Sequence, residues 1–414
     1  MDKQNKTYCR NPFDGVVFAP NGRMQMCCVA QWVGDPKSFT DIKDINSVND
    51  YFNGPYMKNI RERMLQGKFV PECTKCYRDE KLHGYSERTE TNKKYFANNI
   101  DVHEASIKKI NIKFGNNCNL KCKMCFPYNS SELYKEWKAL GWDASDKDPN
   151  KDTSWRFYEG YLEEDYKWPK DKSNLKKLME AAAASQVLHI TGGEPTIQPE
   201  FYAFLKYLIA KDKAKNITLE LVTNATKIHP SLFDLLGKFK TVMLMISMDA
   251  VGRTYEYIRY PADYSKVYEN ILKYRKFILS LGGESKMVFN YTLQVLNLHN
   301  TIESIKTLAP LSTVDNGFWI YELSDPNFMQ WGMLPKESVK AEVKKIASHM
   351  DATKNIKWPV VALSKILEVH KHYTKQDYAK LKQQLIQFTK QQDNLRKINI
   401  KDYIPALVDF TNEI

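Results

Sequence analysis

The stretch Ile107-Lys108-Lys109-Ile110-Asn111-Ile112-Lys113-Phe114-Gly115-Asn116-Asn117-Cys118-Asn119-Leu120-Lys121-Cys122-Lys123-Met124-Cys125 decides how the 414-residue chain is read. Its first half carries apolar residues at the two-residue period of a strand. Its second half places three cysteines at C-x3-C-x2-C spacing directly after that strand. Clustered thiolates at such spacing ligate metal, and an iron–sulfur cubane takes four of them. Three on one tight loop, with no fourth nearby, leave one iron open to a substrate or cofactor. A zinc loop is the bland alternative, but structural zinc wants four ligands and C-x2-C knuckles, and a C-x3-C step is atypical of one.

All eight cysteines lie in the first 125 residues: Cys9, Cys27, Cys28, Cys73 and Cys76 besides the three on the loop. Random scatter would do this about once in ten thousand sequences. A disulfide framework staples small secreted domains, and nothing else here points that way. Hydrophobic residues make up 43% and charged residues 27%, an ordinary globular balance; 61 Lys and Arg against 49 Asp and Glu leave a charge of +12. No apolar run approaches the ~18 residues of a membrane-spanning helix. The start Met1-Asp2-Lys3-Gln4-Asn5-Lys6 leads into no apolar signal segment. The expectation is a soluble cytoplasmic protein with no membrane partner.

The length predicts two to three domains at ~150 residues each. Residues 1–90 read as loop-rich, with helix signals only in Val48–Gln66. From about residue 106, short apolar strands alternate with amphipathic helices, the pattern of a parallel α/β sheet. The strands are Ile107–Phe114, Val187–Thr191, Ile217–Thr223, Thr241–Met248, Met287–Val295 and Phe318–Leu323. Helices fall near 172–186, 199–213, 229–239, 263–281 and 299–310. Six strands predict an α/β fold with a partial (β/α)6 TIM-like barrel, not a complete eight-strand one. A polar, aromatic insert at about 127–171 holds Trp137, Trp142, Trp155 and Trp168, and is too long for an ordinary loop. After Pro335 the chain reads as helical, with Val339–His349, Val360–His372 and Lys375–Lys397 as candidates. The predicted domains are therefore a Cys-rich segment over 1–100, a barrel over 101–330 and a helical extension over 331–414.

A second motif, Thr191-Gly192-Gly193-Glu194-Pro195, closes the next strand. Glycines permit close backbone approach to a ligand, and Glu194 offers a charge for an ammonium. Alone it reads as a turn. Together, the cysteine loop and this segment resemble the signature of the radical S-adenosylmethionine (radical SAM) superfamily. The resemblance implies that Cys118, Cys122 and Cys125 hold a [4Fe–4S] cluster, and that Gly192, Gly193, Glu194 and Pro195 lie against the methionine end of S-adenosylmethionine. Thr223-Asn224-Ala225 resembles the family's TNG segment and Ser247-Met248-Asp249-Ala250 its S-x-D-G segment. Arg259 and Asn297 stand where relatives carry polar residues. The resemblance makes Asn224, Ser247, Asp249, Arg259 and Asn297 candidate cofactor contacts, although such residues after strands are also ordinary caps and turn formers. Met124 stands where an aromatic residue usually packs beside the adenine, and Ala225 and Ala250 replace glycines.

The remaining cysteines resemble a twitch domain, the shorter relative of the SPASM domain, with Cys9, Cys27, Cys73 and Cys76 as the implied ligands of one auxiliary [4Fe–4S] cluster. Cys28 is an alternative to Cys27, and a four-cysteine zinc site is the competing reading. This unit precedes the barrel, whereas in better-known relatives it follows. The SPASM domain's second set of cysteines is missing.

The resemblance implies reductive cleavage of S-adenosylmethionine to a 5′-deoxyadenosyl radical that takes hydrogen from a substrate. A partner such as flavodoxin or ferredoxin supplies the electron, and the auxiliary cluster handles a further one. Twitch and SPASM relatives often act on peptides or proteins, which makes a peptide or protein side chain the leading substrate. Nucleotide or nucleic-acid modification is the alternative, since the positive charge and the Trp-rich insert suit phosphates and bases. A non-catalytic iron–sulfur or zinc scaffold is the third reading. The histidines form no ligand spacing beyond His370 and His372, and the sequence names no general acid or base.

Overall fold

Short alternating segments build the strands of the structure, a computed structural model describing residues 5–31, 40–96, 103–142, 163–352 and 375–407. In chain order the described strands are β1 (Gly15–Phe18), β2 (Arg23–Gln25), β3 (Thr40–Asp41), β4 (Lys109–Lys113), β5 (Val187–Thr191), β6 (Thr218–Thr223), β7 (Thr241–Ser247), β8 (Lys286–Leu293) and β9 (Phe318–Glu322). The helices before β4 are α1 (Asn11–Asp14), α2 (Val48–Phe52), α3 (Pro55–Leu65), α4 (Thr74–His83) and α5 (Glu87–Phe96). Those after it are α6 (Ser131–Ala139), α7 (Lys172–Ala183), α8 (Pro199–Ala210), α9 (Leu232–Leu236), α10 (Gly252–Ile258), α11 (Tyr264–Leu281), α12 (Thr301–Leu308), α13 (Lys336–Ala352), α14 (Lys375–Arg396) and α15 (Ile400–Tyr403). The chain divides into two compact units, Met1–Asn116 with Leu162–Leu221 and Ser231–Val242, and Asn117–Tyr161 with Val222–Pro230 and Met243–Ile414.

In the first unit the strands run in the order β3-β2-β1-β4-β5-β6. β1, β4, β5 and β6 are parallel, with Val16 opposite Ile110, Ile110 opposite Leu188 and Leu188 opposite Leu219. β2 and β3 add antiparallel strands. The two-residue period places Ile110 and Ile112 on a fully buried face and leaves Lys109, Asn111 and Lys113 half-buried on the other. Phe114, just past β4, packs edge-on against Phe201 and Phe204 of α8 at 6.2 and 5.4 Å. In the second unit β7, β8 and β9 are parallel, with Met245 opposite Val288 and Tyr291 opposite Ile320. β7 is apolar almost throughout and buried on both faces, as parallel strands covered on two sides are.

The alternating strands and helices from β4 to β9 give the mixed α/β fold and partial TIM-like barrel that the apolar runs predict, with a helical region after it. The loop-rich reading of residues 1–90 outside Val48–Gln66 needs correction: β1 to β3, α1, α4 and the start of α5 lie there. Gly54 and Pro55 divide the predicted Val48–Gln66 helix into α2 and α3, because Pro55 suits a helix's first turn. The 229–239 helix contracts to α9. The candidate helix Val360–His372 lies outside the described residues, as does Trp155.

The insert is also different from a base-stacking surface where it is described. Trp137 meets Trp142 edge-on at 5.7 Å, and Trp142 stacks on Phe388 of α14 at 5.3 Å. The Trp142 indole N–H donates to Gln391 at 2.8 Å. Trp168 packs beside Phe18 and donates to the Pro20 carbonyl at 3.1 Å. All three rings are buried, so burial of apolar area accounts for them.

Candidate cluster sites

In the first unit, Cys9, Cys27, Cys73 and Cys76 line one small cavity that also presents Glu72 and Arg88. Cys9 precedes α1, Cys27 follows the β1–β2 hairpin, and Cys73 and Cys76 bracket the first turn of α4. All four thiols are buried; Cys28 is exposed and does not line the cavity. Burial pushes the Cys73 thiol up to about 12 and raises Cys9 and Cys76 as well. Cys27 is raised by its hydrogen bond with Cys28 and then by burial. Thiols held neutral in this way surrender their protons to a cation that takes their place. The Val29 N–H at 3.4 Å and Asn11 Nδ2 at 3.9 Å donate to Cys27 Sγ, bonds of the kind that tune a cluster's potential. Arg88, bound to Glu80 and to the Tyr8 carbonyl, brings a cation to the lining. Among the described residues no group of three or more His, Cys, Asp or Glu has the arrangement for a single metal ion. Four thiols are the ligand number of a fully held [4Fe–4S] cluster, and of a structural zinc ion as well.

The second unit contains the three-cysteine loop. Cys122 is buried, and Cys118 and Cys125 are half-buried. The Lys121 N–H donates to the Tyr260 carbonyl at 2.6 Å and the Lys123 N–H to Ile258 at 2.8 Å, so the loop is pinned to the end of α10. Ser130 Oγ donates to the Leu120 carbonyl at 2.7 Å. On the other side Asn119 Nδ2 donates to Thr226 Oγ1 at 2.9 Å, and Asn119 Oδ1 accepts from Asn224 Nδ2 at 3.1 Å. Asn224, a candidate cofactor contact, thus braces the loop. Burial pushes the Cys122 thiol up to about 12 against the opposing pull of the Arg259 guanidinium.

Arg259, Asp249 and Asn297 come together as one buried network. Arg259 Nε donates to Asp249 Oδ2 at 2.7 Å, while Asp249 Oδ1 accepts from the Thr292 N–H at 2.9 Å. Asn297 Nδ2 donates to the carbonyls of Asp249 and Thr292 at 2.6 and 2.8 Å. Burial alone would lower the Arg259 pKa, but Asp249 and Cys122 outweigh it and hold the cation. Ser247 ends β7 and Met124 is half-buried on the loop. Ala225 takes a left-handed backbone at φ 56°, the conformation that glycine adopts without cost, with its carbonyl held by Asn270 Nδ2 at 3.0 Å.

Gly192-Gly193-Glu194-Pro195 belongs to the first unit. Gly192 has φ +77°, and a Cβ there would stand 2.6 Å from Lys113 Cβ and Cγ. Glu194 is buried and its Oε1 accepts from the Thr196 N–H and hydroxyl at 3.2 and 2.7 Å, capping the turn Pro195–Ile197.

Sequence reasoning passed over Arg88 beside the auxiliary thiols and Lys123, Glu136, Asp393 and Arg396 around the loop. Their partners lie as far as 275 residues away along the chain, and no local pattern carries such a pairing.

A loop with three thiols at a strand's carboxyl end and a cavity lined by four buried thiols are the two candidate cluster sites. The comparisons with known proteins identify two domains. Residues 112–293 match the model of the radical SAM superfamily, and residues 9–77 match that of an iron–sulfur cluster-binding domain, SPASM. The chain thus carries a radical SAM domain with an auxiliary-cluster domain ahead of it, and the cofactors of that pairing are a [4Fe–4S] cluster, S-adenosylmethionine and a further iron–sulfur cluster. No curated protein matches. Among solved structures, native anSMEcpe with bound AdoMet is 19% identical, with a TM-score of 0.38 over 60% of this chain and 62% of that one. Streptococcus suis SuiB bound to precursor peptide SuiA is 14% identical, with a TM-score of 0.40 over 78% and 57%. TYW1 with a lysine–pyruvate adduct bound is 17% identical, with a TM-score of 0.32 over 67% and 80%. The chain thus spans less than two thirds of the first two. No helix among the described residues is long and apolar enough to cross a membrane.

Proposed function

We propose that this enzyme modifies a peptide or protein side chain oxidatively, with Cys118, Cys122 and Cys125 holding the catalytic cluster and Cys9, Cys27, Cys73 and Cys76 the auxiliary one. The observation that carries the reading is the division of labour between the two thiol sets. One lies on a loop with only three ligands and therefore an open iron; the other is four buried thiols around one cavity, which leaves no iron open. When bound, the first cluster and S-adenosylmethionine supply a 5′-deoxyadenosyl radical that abstracts a hydrogen atom.

The chain's own residues do the placement. Asn224, Asn119 and Thr226 fix one flank of the loop, and the carbonyls of Ile258 and Tyr260 fix the other. Arg259, kept charged by Asp249, stands electrostatically against Cys122 and offsets thiolate charge there. Gly192, Gly193, Glu194 and Pro195 are the segment for the methionine end of the cofactor, with Ser247, Asn297 and Met124 as further contacts. A full set of four thiols suits an electron acceptor, which makes net oxidation of the substrate the consistent outcome, with a flavodoxin- or ferredoxin-type protein as the external reductant. Frequent action on peptides among enzymes with this domain pairing supports the substrate class. Burial takes Trp137, Trp142 and Trp168, the described tryptophans of the insert, out of any base-stacking surface.

The test is iron and acid-labile sulfide per chain after anaerobic reconstitution, beside a Cys118/Cys122/Cys125→Ala variant. About eight irons falling to about four supports two [4Fe–4S] sites. About four irons with zinc in the remainder assigns residues 9–76 to a structural metal, and no iron at all ends the reading.

A further inference from the structure

The last turn of α14 reaches the three-cysteine loop through one buried ion pair and one hydrogen bond from a buried guanidinium. Lys123, the residue between Cys122 and Met124, is 1% exposed, and its ammonium meets Asp393 Oδ1 at 2.6 Å. The same ammonium lies 4.5 Å from the centre of the Tyr257 ring, whose hydroxyl is 3.0 Å from Asp393. Four residues upstream of the last cysteine, Lys121 is held from the same helix: Arg396 Nη2 donates to its carbonyl at 2.7 Å. Arg396 also pairs with Glu136 of α6 at 2.6 and 2.9 Å, and both of these side chains are 1% exposed.

Buried ion pairs are a poor source of stability, since desolvation consumes most of their attraction; their best-attested use is to fix one arrangement over others. The loop has little regular backbone structure of its own and must present three sulfurs in one geometry. Without Asp393 and Arg396 its inner edge keeps the amide bonds of Lys121 and Lys123 to α10 but loses both charged anchors.

We propose that Asp393 and Arg396 of the C-terminal helix are positioning residues for the cluster loop, gripping it at Lys121 and Lys123 so that Cys118, Cys122 and Cys125 are set before iron arrives. The inference rests on the assignment of that loop as the catalytic cluster's site, and it gives the helical extension after the barrel a part in the chemistry. A helix that merely completes the core would use apolar contacts here.

The experiment is hydrogen exchange on the full chain, both metal-free and reconstituted, for wild type, Arg396→Gln and Asp393→Asn. The expected result in the metal-free chain is exchange about tenfold faster or more in the peptide covering residues 117–126, with the peptide covering β8 unchanged. In the reconstituted chain, iron from the three-cysteine loop is lost in air several times faster, while the four auxiliary-site irons stay. Equal exchange in wild type and both variants, or a rise shared equally by the loop and β8, overturns the proposal. Should Arg396→Gln unfold the chain, Asp393→Asn decides, because it retains an acceptor for Tyr257 and for the Ile400 N–H. A wild-type loop that binds no iron while its amides respond as stated removes the cluster assignment and leaves the grip standing.

Discussion

Replacing Gly192 by alanine isolates the reason for glycine at the cofactor-side turn. Thr191 pairs with Lys113 across β4 and β5, so the next residue lies directly over the Lys113 stem. An alanine Cβ would stand 2.6 Å from Lys113 Cβ and Cγ, about 1 Å inside an ordinary carbon contact of ~3.5–4.0 Å. Lys113 Cβ is fixed to the strand, so rotamer change cannot relieve the overlap and the strand must move. Overpacking of this size costs ~1–3 kcal/mol. The left-handed backbone adds ~1–2 kcal/mol, reduced by ~0.4–1 kcal/mol because alanine loses less entropy on folding. The sum is about 2–4 kcal/mol. Gly67→Ala is the reference, because Gly67 has a similar φ of +69°, lies in the same unit and has nothing within 4 Å of its Cβ position. It shares the backbone cost of about 1 kcal/mol without the overlap. Urea unfolding of both variants should differ by ~1–3 kcal/mol, Gly192→Ala being the weaker. Equal stabilities within 0.5 kcal/mol, about the usual error of such comparisons, refute the packing argument.

Further outcomes follow from other side chains. Burial of His299, slightly offset by Glu342, lowers its pKa from 6.5 to about 4. The unfolded chain therefore takes up this proton first, and the stability present above pH 6.5 falls as the pH drops towards 4, by about 2 kcal/mol at pH 5; a His299→Gln variant should show a flatter profile of unfolding midpoint against pH. Glu220 acts lower on the scale: burial opposes ionisation, but His189 and Lys109 hold its carboxyl at about 2. Its contribution of roughly 3 kcal/mol is present above 4.5 and lost as pH falls through 2, so Glu220→Gln should soften the acid limb of the same profile. Trp142→Ala should cost ~3–5 kcal/mol in chemical denaturation, since the stack on Phe388 and the Gln391 bond go together. Ala225→Gly should be neutral or stabilising by up to ~1 kcal/mol, and a measurable loss of stability would contradict strain at φ 56°.

The parts of the fold that local chemistry dictates were readable. β5 matches its predicted span to the residue, because Val187–Thr191 is an apolar run stopped by two glycines. β6 to β9 differ from their predicted spans by one or two residues at an end. The segment before β4 resisted reading for a physical reason. α5 buries polar side chains, not an apolar stripe: Arg88 and Asn92 reach the Tyr8 carbonyl, and Asn92 accepts from the Arg10 N–H at 3.0 Å. Such bonds cross about eighty residues and leave no periodicity to find. Arg23-Met24-Gln25 is a strand only because β1 is there to pair with it. In the site, motifs located the thiols, whereas the supports of the loop are set by tertiary contact alone.

β1 pairs in parallel with β4 and carries β2 and β3 outward from it. An open barrel would otherwise offer the backbone of its first strand to any passing extended chain, a route to aggregation. Here that row of donors and acceptors is consumed by the segment bearing Cys27, and the last described strand on this side, Thr40–Asp41, is too short to template a neighbour. During synthesis the three strands leave the ribosome before β4, so a partner precedes the strand that needs one. The auxiliary-cluster segment thus doubles as a hem on the sheet. Cutting it away should yield a barrel that self-associates, quite apart from any loss of iron.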